Sequence, residues 1–335
     1  MDTIDERKSE EWFNNLNAAL NGRDVDYIVI SHLEPDHAAN IKALADKYPD
    51  AKLVLSAKAK AMLPQFFNID NLDERCQVVA ENDELSLGKH KLVFIMAPMV
   101  HWPEVMLEYE TTEKVLFSAD AFGKFGALCT DEDWTCEARR YYFNIVGKYG
   151  MQVQSVLKKA SQLEIKTICP LHGPILRENL GYYINKYDIW SKYETESEGV
   201  YIACASIHGN TLKVCEKLKE ILEEKGLEKV VLADLSREDW AEAVEDSFRY
   251  GKIVFASATY DMGIFTPMRD LLLNLKERNY QNKKVAIIEN GTWAPNAARC
   301  MKEIISTMKN IEIVEPVVTI KSTLKEEDIE KLNEL

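Results

Sequence analysis

The sequence has no long apolar run, no CxxC cysteine pair, no excess of basic charge and no low-complexity tract. The first absence excludes an α-helical membrane span, which needs about 20 consecutive apolar residues. The longest candidate, Leu92–Val100, is nine residues long and contains Pro98, so it reads as a buried strand. The second absence bears on the seven cysteines, at positions 76, 129, 136, 169, 204, 215 and 300. An odd, scattered set predicts reduced thiols in a cytoplasmic protein rather than a disulfide framework. The acidic and polar first residues predict no signal peptide. Net charge is −14; residues 198–335 hold 24 acidic and 19 basic residues, and the rest hold 31 and 22. Neither half would gather phosphate backbone by counterion release, which excludes nucleic acid as a partner.

What remains is ordinary for a soluble globular chain: 46% hydrophobic and 29% charged residues over 335 positions. That composition excludes whole-chain disorder, and the length implies about two domains. The polar stretch Glu194–Gly199 reads as the linker, giving domains at 1–196 and 197–335. The first half mixes short strands and helices. Strands are predicted over 26–31, 52–56, 76–80, 84–87, 91–97, 105–110, 114–118 and 167–169. Helices are predicted over 36–47, 57–65, 136–148, 151–163 and 181–193. The second half is more regular. Strands at 200–205, 229–233, 253–257, 284–289 and 311–318 alternate with helices near 211–224, 238–248, 266–278, 295–308 and 324–334. Five βα units in succession predict a doubly wound, five-stranded parallel sheet.

Such sheets bind ligands beyond the carboxyl ends of their strands. The first strand end carries Ser206, Ile207, His208, Gly209, Asn210 and Thr211. Hydroxyls, a glycine and backbone N–H groups at a helix N-terminus form an anion nest suited to phosphate. The loop is neither GxxxxGK[ST] nor GxGxxG, which disfavours ATP, GTP and NAD. The third strand end carries Ala258, Thr259, Tyr260, Asp261, Met262 and Gly263, and the fourth Asn290, Gly291, Thr292, Trp293 and Ala294. Tyr260 and Trp293 place two aromatics near the nest, as a flat ring system would need for stacking. Each loop alone is an ordinary βα turn; three on one edge with matching chemistry argue for a shared ligand. This half resembles flavodoxin. The resemblance implies non-covalent FMN, with phosphate on 206–211 and the isoalloxazine between 259–263 and 290–294. His208 departs from the Thr or aromatic residue common in related loops.

The first half offers a second concentration of chemistry. His32-Leu33-Glu34-Pro35-Asp36-His37 puts four potential ligands in six residues at the end of a predicted strand. Alternation would set His32, Glu34 and Asp36 on one side if the segment stays extended, and Pro35 favours extension at Glu34. His101, which opens His-Trp-Pro-Glu, Asp120, which opens Asp-Ala-Phe-Gly, and His172 also lie just beyond strand ends. His90, in a polar turn, reads as an ordinary surface histidine.

This pattern resembles the metallo-β-lactamase fold, an αββα sandwich. HxExDH followed by His101, Asp120 and His172 is more similar still to flavodiiron proteins, which fuse that fold to a C-terminal flavodoxin domain. Carried over residue by residue, the resemblance gives one iron His32, Glu34 and His101, the other Asp36, His37 and His172, with Asp120 bridging. It implies an oxidoreductase passing electrons from rubredoxin or a similar small donor through FMN to a di-iron site that reduces O2 to water, NO to N2O, or both. It also implies a head-to-tail homodimer or a dimer of dimers. Glu34 stands where hydrolytic members of the fold carry a second histidine, and added oxygen ligands suit a harder redox metal pair better than zinc. Two other readings stay open: an FMN electron carrier with an empty or non-redox metal domain, and a metal-dependent hydrolase fused to flavodoxin. The family places a β-rich segment ahead of the first elements seen here; lacking it, the sandwich would expose a sheet edge and apolar surface. Residues Lys124–Leu128 are expected to line a substrate channel.

Overall fold

A computed structural model describes residues 1–127 and 133–335. It divides into two compact units, Met1–Glu132 with Met151–Tyr187, and Asp133–Gly150 with Asp188–Leu335. Neither unit is one continuous segment.

The first unit contains two sheets. Strands β1 (Tyr27–Ile30), β2 (Lys52–Ser56) and β3 (Cys76–Val79) run parallel in the order β1-β2-β3. Strands β4 (Glu84–Leu87), β5 (His90–Met96), β6 (Met106–Glu110) and β7 (Val115–Phe117) form an antiparallel meander, and β8 (Thr167–Cys169) adds parallel to β7. β1 and β2 are apolar on both faces because both faces are covered. Val29 and Val54 join Leu85, Leu92, Phe94 and Met106 in a core between the sheets. Ile28, Ile30, Leu53 and Leu55 point the other way, among Ile41, Leu44, Ala59 and Leu63 of the covering helices.

Two features differ from the expectations. A helix over Ser9–Leu20 was not foreseen; its apolar residues Trp12, Phe13 and Leu16 pack only partly buried against the core, so its amphipathic signal is weak. The expected helix over 36–47 is two helices, Pro35–Ala38 and Ile41–Lys47. They break at Asn40, whose side-chain amide donates to Ile4 O at 2.8 Å and whose N–H donates to the Thr3 hydroxyl at 3.2 Å.

In the second unit, β9 (Ser197–Ala205), β10 (Val230–Asp234), β11 (Tyr250–Tyr260), β12 (Gly263–Ile264), β13 (Gln281–Asn290), β14 (Lys309–Ile313) and β15 (Val318–Ile320) make one sheet. Its parallel spine runs β10-β9-β11-β13-β14. That is the flavodoxin-like order, in which the chain reverses direction of winding after its first two strands and leaves a crevice there. The expected strand over 311–318 is interrupted: Pro316 has no N–H to give the ladder, so β14 stops at Ile313 and β15 re-pairs with β13 from Val318. The expected linker 194–199 is partly sheet, since Ser197 already pairs with Tyr250 and the Glu196 N–H donates to Arg249 O at 3.0 Å.

Candidate metal centre and flavin cavity

The seven metal-ligand candidates all lie in the first unit, beyond the ends of β1, β5, β7 and β8. After β1 the chain stays extended only to Glu34, whose φ and ψ are −60° and 138°. Pro35 then occupies the first helical turn, where its missing N–H is no loss. This turn takes Asp36 away from His32 and Glu34 and puts it beside His37, so alternation does not hold across the motif.

The side chains converge as two groups, His32, Glu34, His101 and Asp120, and Asp36, His37 and His172. Within each, one ligand atom per residue lies within 4.8 Å of all the others. Asp120 is fully buried and faces both. Its Oδ2 lies 3.4 Å from His32 Nε2 and 3.1 Å from His101 Nε2. Its Oδ1 lies 3.2 Å from His37 Nε2 and 3.6 Å from His172 Nε2. Glu34 Oε2 lies 2.9 Å from His101 Nε2 and 3.3 Å from His32 Nε2, and Asp36 Oδ2 lies 3.3 Å and 3.2 Å from the Nε2 atoms of His37 and His172. The turn holding Asp120 is tight: the Gly123 N–H donates to Asp120 O at 3.0 Å, and a Cβ at Gly123 would sit 2.9 Å from that oxygen and 3.2 Å from His172 Cβ.

The electrostatics follow from this crowding. Burial disfavours a charged imidazole, yet hydrogen bonds to Glu104 and Glu34 and the charge of Asp120 outweigh it and push His32 up to about 10. The same balance, with Asp120 and Glu34 opposing burial, takes His101 to about 9. His172 is raised too, by Asp36 and Asp120 against burial. Contacts with His101 and His32 hold Glu34 down at about 2. Burial alone would raise Asp120, but the surrounding imidazoles more than reverse it. Among the described residues, both Asp120 oxygens, His37 Nε2 and Asp36 Oδ1 are buried without an aligned hydrogen bond. Buried polar atoms left this way are costly, and a divalent cation in each group would satisfy them. Four imidazoles and three carboxylates fit a pair of transition-metal ions.

Two buried acids that the sequence reading passed over also touch this site. Glu104 Oε1 lies 2.8 Å from His32 Nδ1, and Asp2 Oδ1 accepts the Ser31 N–H at 2.7 Å. Glu104 is the last residue of His-Trp-Pro-Glu, but nothing local ties it to a residue 72 positions earlier. His90 sits apart, 3.2 Å from Glu110. Of the stretch 124–128, Lys124 is buried, and Leu128 lies outside the described residues.

The second unit has a cavity of about 420 Å³ at the carboxyl ends of β9, β11 and β13. It is lined by Ser206, Ile207, His208, Asn210 and Thr211, by Ala258, Thr259, Asp261 and Met262, and by Asn290, Gly291, Thr292, Trp293 and Ala294. Gly209, Tyr260 and Gly263 are not among its lining residues. Gly209, at φ 85°, caps the helix Asn210–Glu224 and donates its N–H to the Ser206 hydroxyl at 3.1 Å. Tyr260 and Gly263 pair with each other across the β11–β12 turn, and the Tyr260 ring packs against Phe265, 5.9 Å away. Ser322, which the sequence reading did not single out, lines the cavity and is tied to Asn290 by two 2.9 Å hydrogen bonds. The Thr259 hydroxyl accepts the N–H groups of Asn296 and Ala297 at 3.0 and 3.2 Å, locking the second loop to the third. Trp293 is 84% exposed.

The family described as ODP family beta lactamase matches residues 1–173. The chain belongs to that family. A nitric oxide reductase of Moorella thermoacetica is 29% identical to this ODP-family chain over 348 residues, covering 100% of it and 85% of the relative. Among solved structures, the rubredoxin oxygen:oxidoreductase of Desulfovibrio gigas superposes with a TM-score of 0.90 at 26% identity, covering 99% of this chain and 84% of that one. The flavodiiron protein of Giardia intestinalis does so at 0.90 and 25%, covering 99% and 83%. The resemblance to flavodiiron proteins, and the fold class it implied, are borne out. No helix among the described residues is long and apolar enough to cross a membrane.

Proposed function

We propose that this chain is a flavodiiron oxidoreductase that reduces O2, NO or both. One observation carries the reading: each oxygen of a fully buried aspartate, Asp120, faces a different pair of imidazoles, which is what a carboxylate between two metal ions requires. In this reading His32, Glu34 and His101 hold one iron, Asp36, His37 and His172 the other, and Asp120 bridges. The loops 206–211, 258–263 and 290–294 hold FMN, with the phosphate at the N-terminus of the 15-residue helix Asn210–Glu224. Bound there, FMN and the irons supply one-electron transfers, drawn from rubredoxin or a similar small donor, to O2 or NO.

The chain's own residues supply the rest. Asp120 and Glu34 are held ionised, so they offer anionic oxygens at neutral pH. His32 and Asp120 are fully buried and His37 and His101 nearly so, which keeps bulk water from those ligand atoms. Asn290 and Thr259 fix the flavin loops through the hydrogen bonds described above. All the metal candidates precede residue 196 and all the cavity residues follow 197, so one function falls on each side of the 196/197 boundary of domains 1–196 and 197–335, although residues 133–150 and 188–196 pack with the second unit. A head-to-tail dimer and a cytoplasmic location belong to the same reading. Cys76, Cys136, Cys169, Cys204, Cys215 and Cys300 are free thiols, which supports the latter.

The test is metal and flavin content followed by anaerobic assay. About two irons and one FMN per chain are expected, with O2 or NO consumed when reduced rubredoxin is supplied. The double variant His101→Ala/His172→Ala should lose iron and turnover but keep the yellow flavin spectrum. Turnover persisting in that variant without metal would refute the assignment. FMN without iron in the parent chain would point to an electron carrier, and zinc with esterase or lactamase activity to a hydrolase.

A further inference from the structure

The two ligand groups are not built alike. His32 is gripped at its ring and at its backbone. Its Nδ1 lies 2.8 Å from Glu104 Oε1, and the same oxygen accepts the Leu33 N–H at 3.0 Å. Asp2 Oδ1 accepts the N–H groups of Ser31 and His32 at 2.7 and 3.3 Å. Glu104 is itself fixed: it is 1% exposed, and its backbone oxygen accepts the Ser56 hydroxyl at 2.8 Å. Its other carboxylate oxygen, Oε2, is buried with no hydrogen-bond partner among the described residues, an arrangement that costs stability. His101, the second imidazole of this group, comes from the same loop three residues earlier.

The other group is looser. Its second imidazole, His172, has a side chain 33% exposed, against 10% for His101 in the first group, while the carboxylates Glu34 and Asp36 are alike at 35% and 36%. Among the described residues, the only carboxylates within 4 Å of the His37 ring are Asp36 and Asp120, both in the ligand set.

A histidine that ligates through Nε2 must carry its hydrogen on Nδ1 and keep its ring in one plane. A carboxylate accepting from Nδ1 fixes both and makes Nε2 a stronger donor to the metal. We propose that Glu104 is a positioning residue that sets the tautomer and ring plane of His32, and that it thereby makes the His32/Glu34/His101 metal position the tighter of the two, filled first and emptied last. The proposal rests on the two-metal reading above. Its physical content is preorganisation: side chains already immobilised lose less freedom when the ion arrives.

The experiment is a cobalt(II) titration of the full chain after chelation of its metal, with FMN retained, followed by visible absorption. The parent chain is expected to take up two cobalt ions in two separable steps. His101→Ala should remove the tighter step and His172→Ala the weaker. Glu104→Gln keeps the shape and an acceptor but not the charge; it should weaken the tighter step by about 10-fold, and Glu104→Ala by up to about 100-fold, the range for partners of metal-bound histidines. The weaker step and the FMN content should not change in either. A fault in folding would move both steps together, so the selective effect separates positioning from mere stability. Equal affinities in the parent chain, or Glu104 variants that weaken both steps alike, would overturn the proposal. Failure of the parent chain to bind any cobalt would instead overturn the two-metal reading beneath it.

Discussion

Metal uptake by the chelated chain should be steeply pH-dependent, and the structure says how many protons compete. Without an ion the carboxylates hold their partners as imidazolium, with His32 at about 10 and His101 at about 9. An imidazole must be neutral to ligate, so metal binding at this group releases both protons. At pH 7 both imidazoliums must give up a proton before they can ligate, so two protons compete with the ion. Glu34, at about 2, is already ionised and releases nothing. Between pH 7 and 8, below both values, the logarithm of the binding constant should therefore climb by close to 2, about a hundredfold, and the slope should ease as pH nears 9. The same groups set the stability of the metal-free chain. Their folded-state values lie above the ordinary 6.5 of histidine, so their contribution is full below pH 6.5 and is lost as pH rises through 9 to 10. Metal-free chain should unfold more readily at pH 9 than at pH 7, and loaded chain should not. Calorimetric titration with cobalt(II) in two buffers of different ionisation enthalpy counts the protons directly. Release of fewer than one proton per chain at pH 7, or an affinity flat from pH 6.5 to 8.5, would refute the reasoning.

Other consequences can be read as directly. Arg139, 1% exposed, pairs through its guanidinium with Glu245 and, at 3.0 Å, with Glu196, which also accepts the Trp190 indole N–H at 2.6 Å. Arg139→Leu would strip the buried Glu245 and Glu196 carboxylates of this guanidinium and should cost about 3–5 kcal/mol, lowering the thermal midpoint of the flavin unit by roughly 6–20 °C; a fall under about 2 °C would contradict this. Lys283, 2% exposed, donates to Phe248 O at 2.7 Å, and burial brings its ammonium down to about 8. A lysine lowered on folding makes the chain gain stability as pH rises from 8 to 10.5, here by up to about 3 kcal/mol; denaturant titrations of Lys283→Met, followed by flavin fluorescence, should lack that gain. Trp293→Ala should weaken FMN or shift its reduction potential with iron content unchanged, and an unaltered flavin affinity and potential would remove Trp293 from the site.

The reach of the sequence differs between the two sites for physical reasons. In the flavin half, local periodicity sufficed to show alternating βα units, and ligand loops must then fall at strand ends. What periodicity does not carry is the return of the chain from the fifth strand position. Pro316 splits that strand, β15 re-pairs with β13, and the loop after it brings Ser322 to the cavity wall. Tyr260 stands outside the cavity lining for a similar reason: a two-residue strand, β12, folds back on β11, and Tyr260 pairs with Gly263 in that turn.

In the metal half, HxExDH was legible because four ligand-type side chains in six residues at a strand end have few other uses. The partition of those ligands depended on where extension gives way to helix, and Pro35 makes that change one residue after Glu34. Two cations held side by side need opposite-facing ligands from adjacent residues. An extended segment alone would send Glu34 and Asp36 to the same group, and a helix beginning at His32 would crowd its ligands onto successive turns. The strand-to-helix change within the motif is what separates them. Glu104 and Asp2 follow a different logic. They hold His32 and Ser31 across separations of 72 and 29 residues, contacts that exist only once both sheets have packed. Ligands announce themselves by spacing, whereas the residues that aim them are set by tertiary structure, and so the inequality of the two metal positions is a property of the fold rather than of the motif.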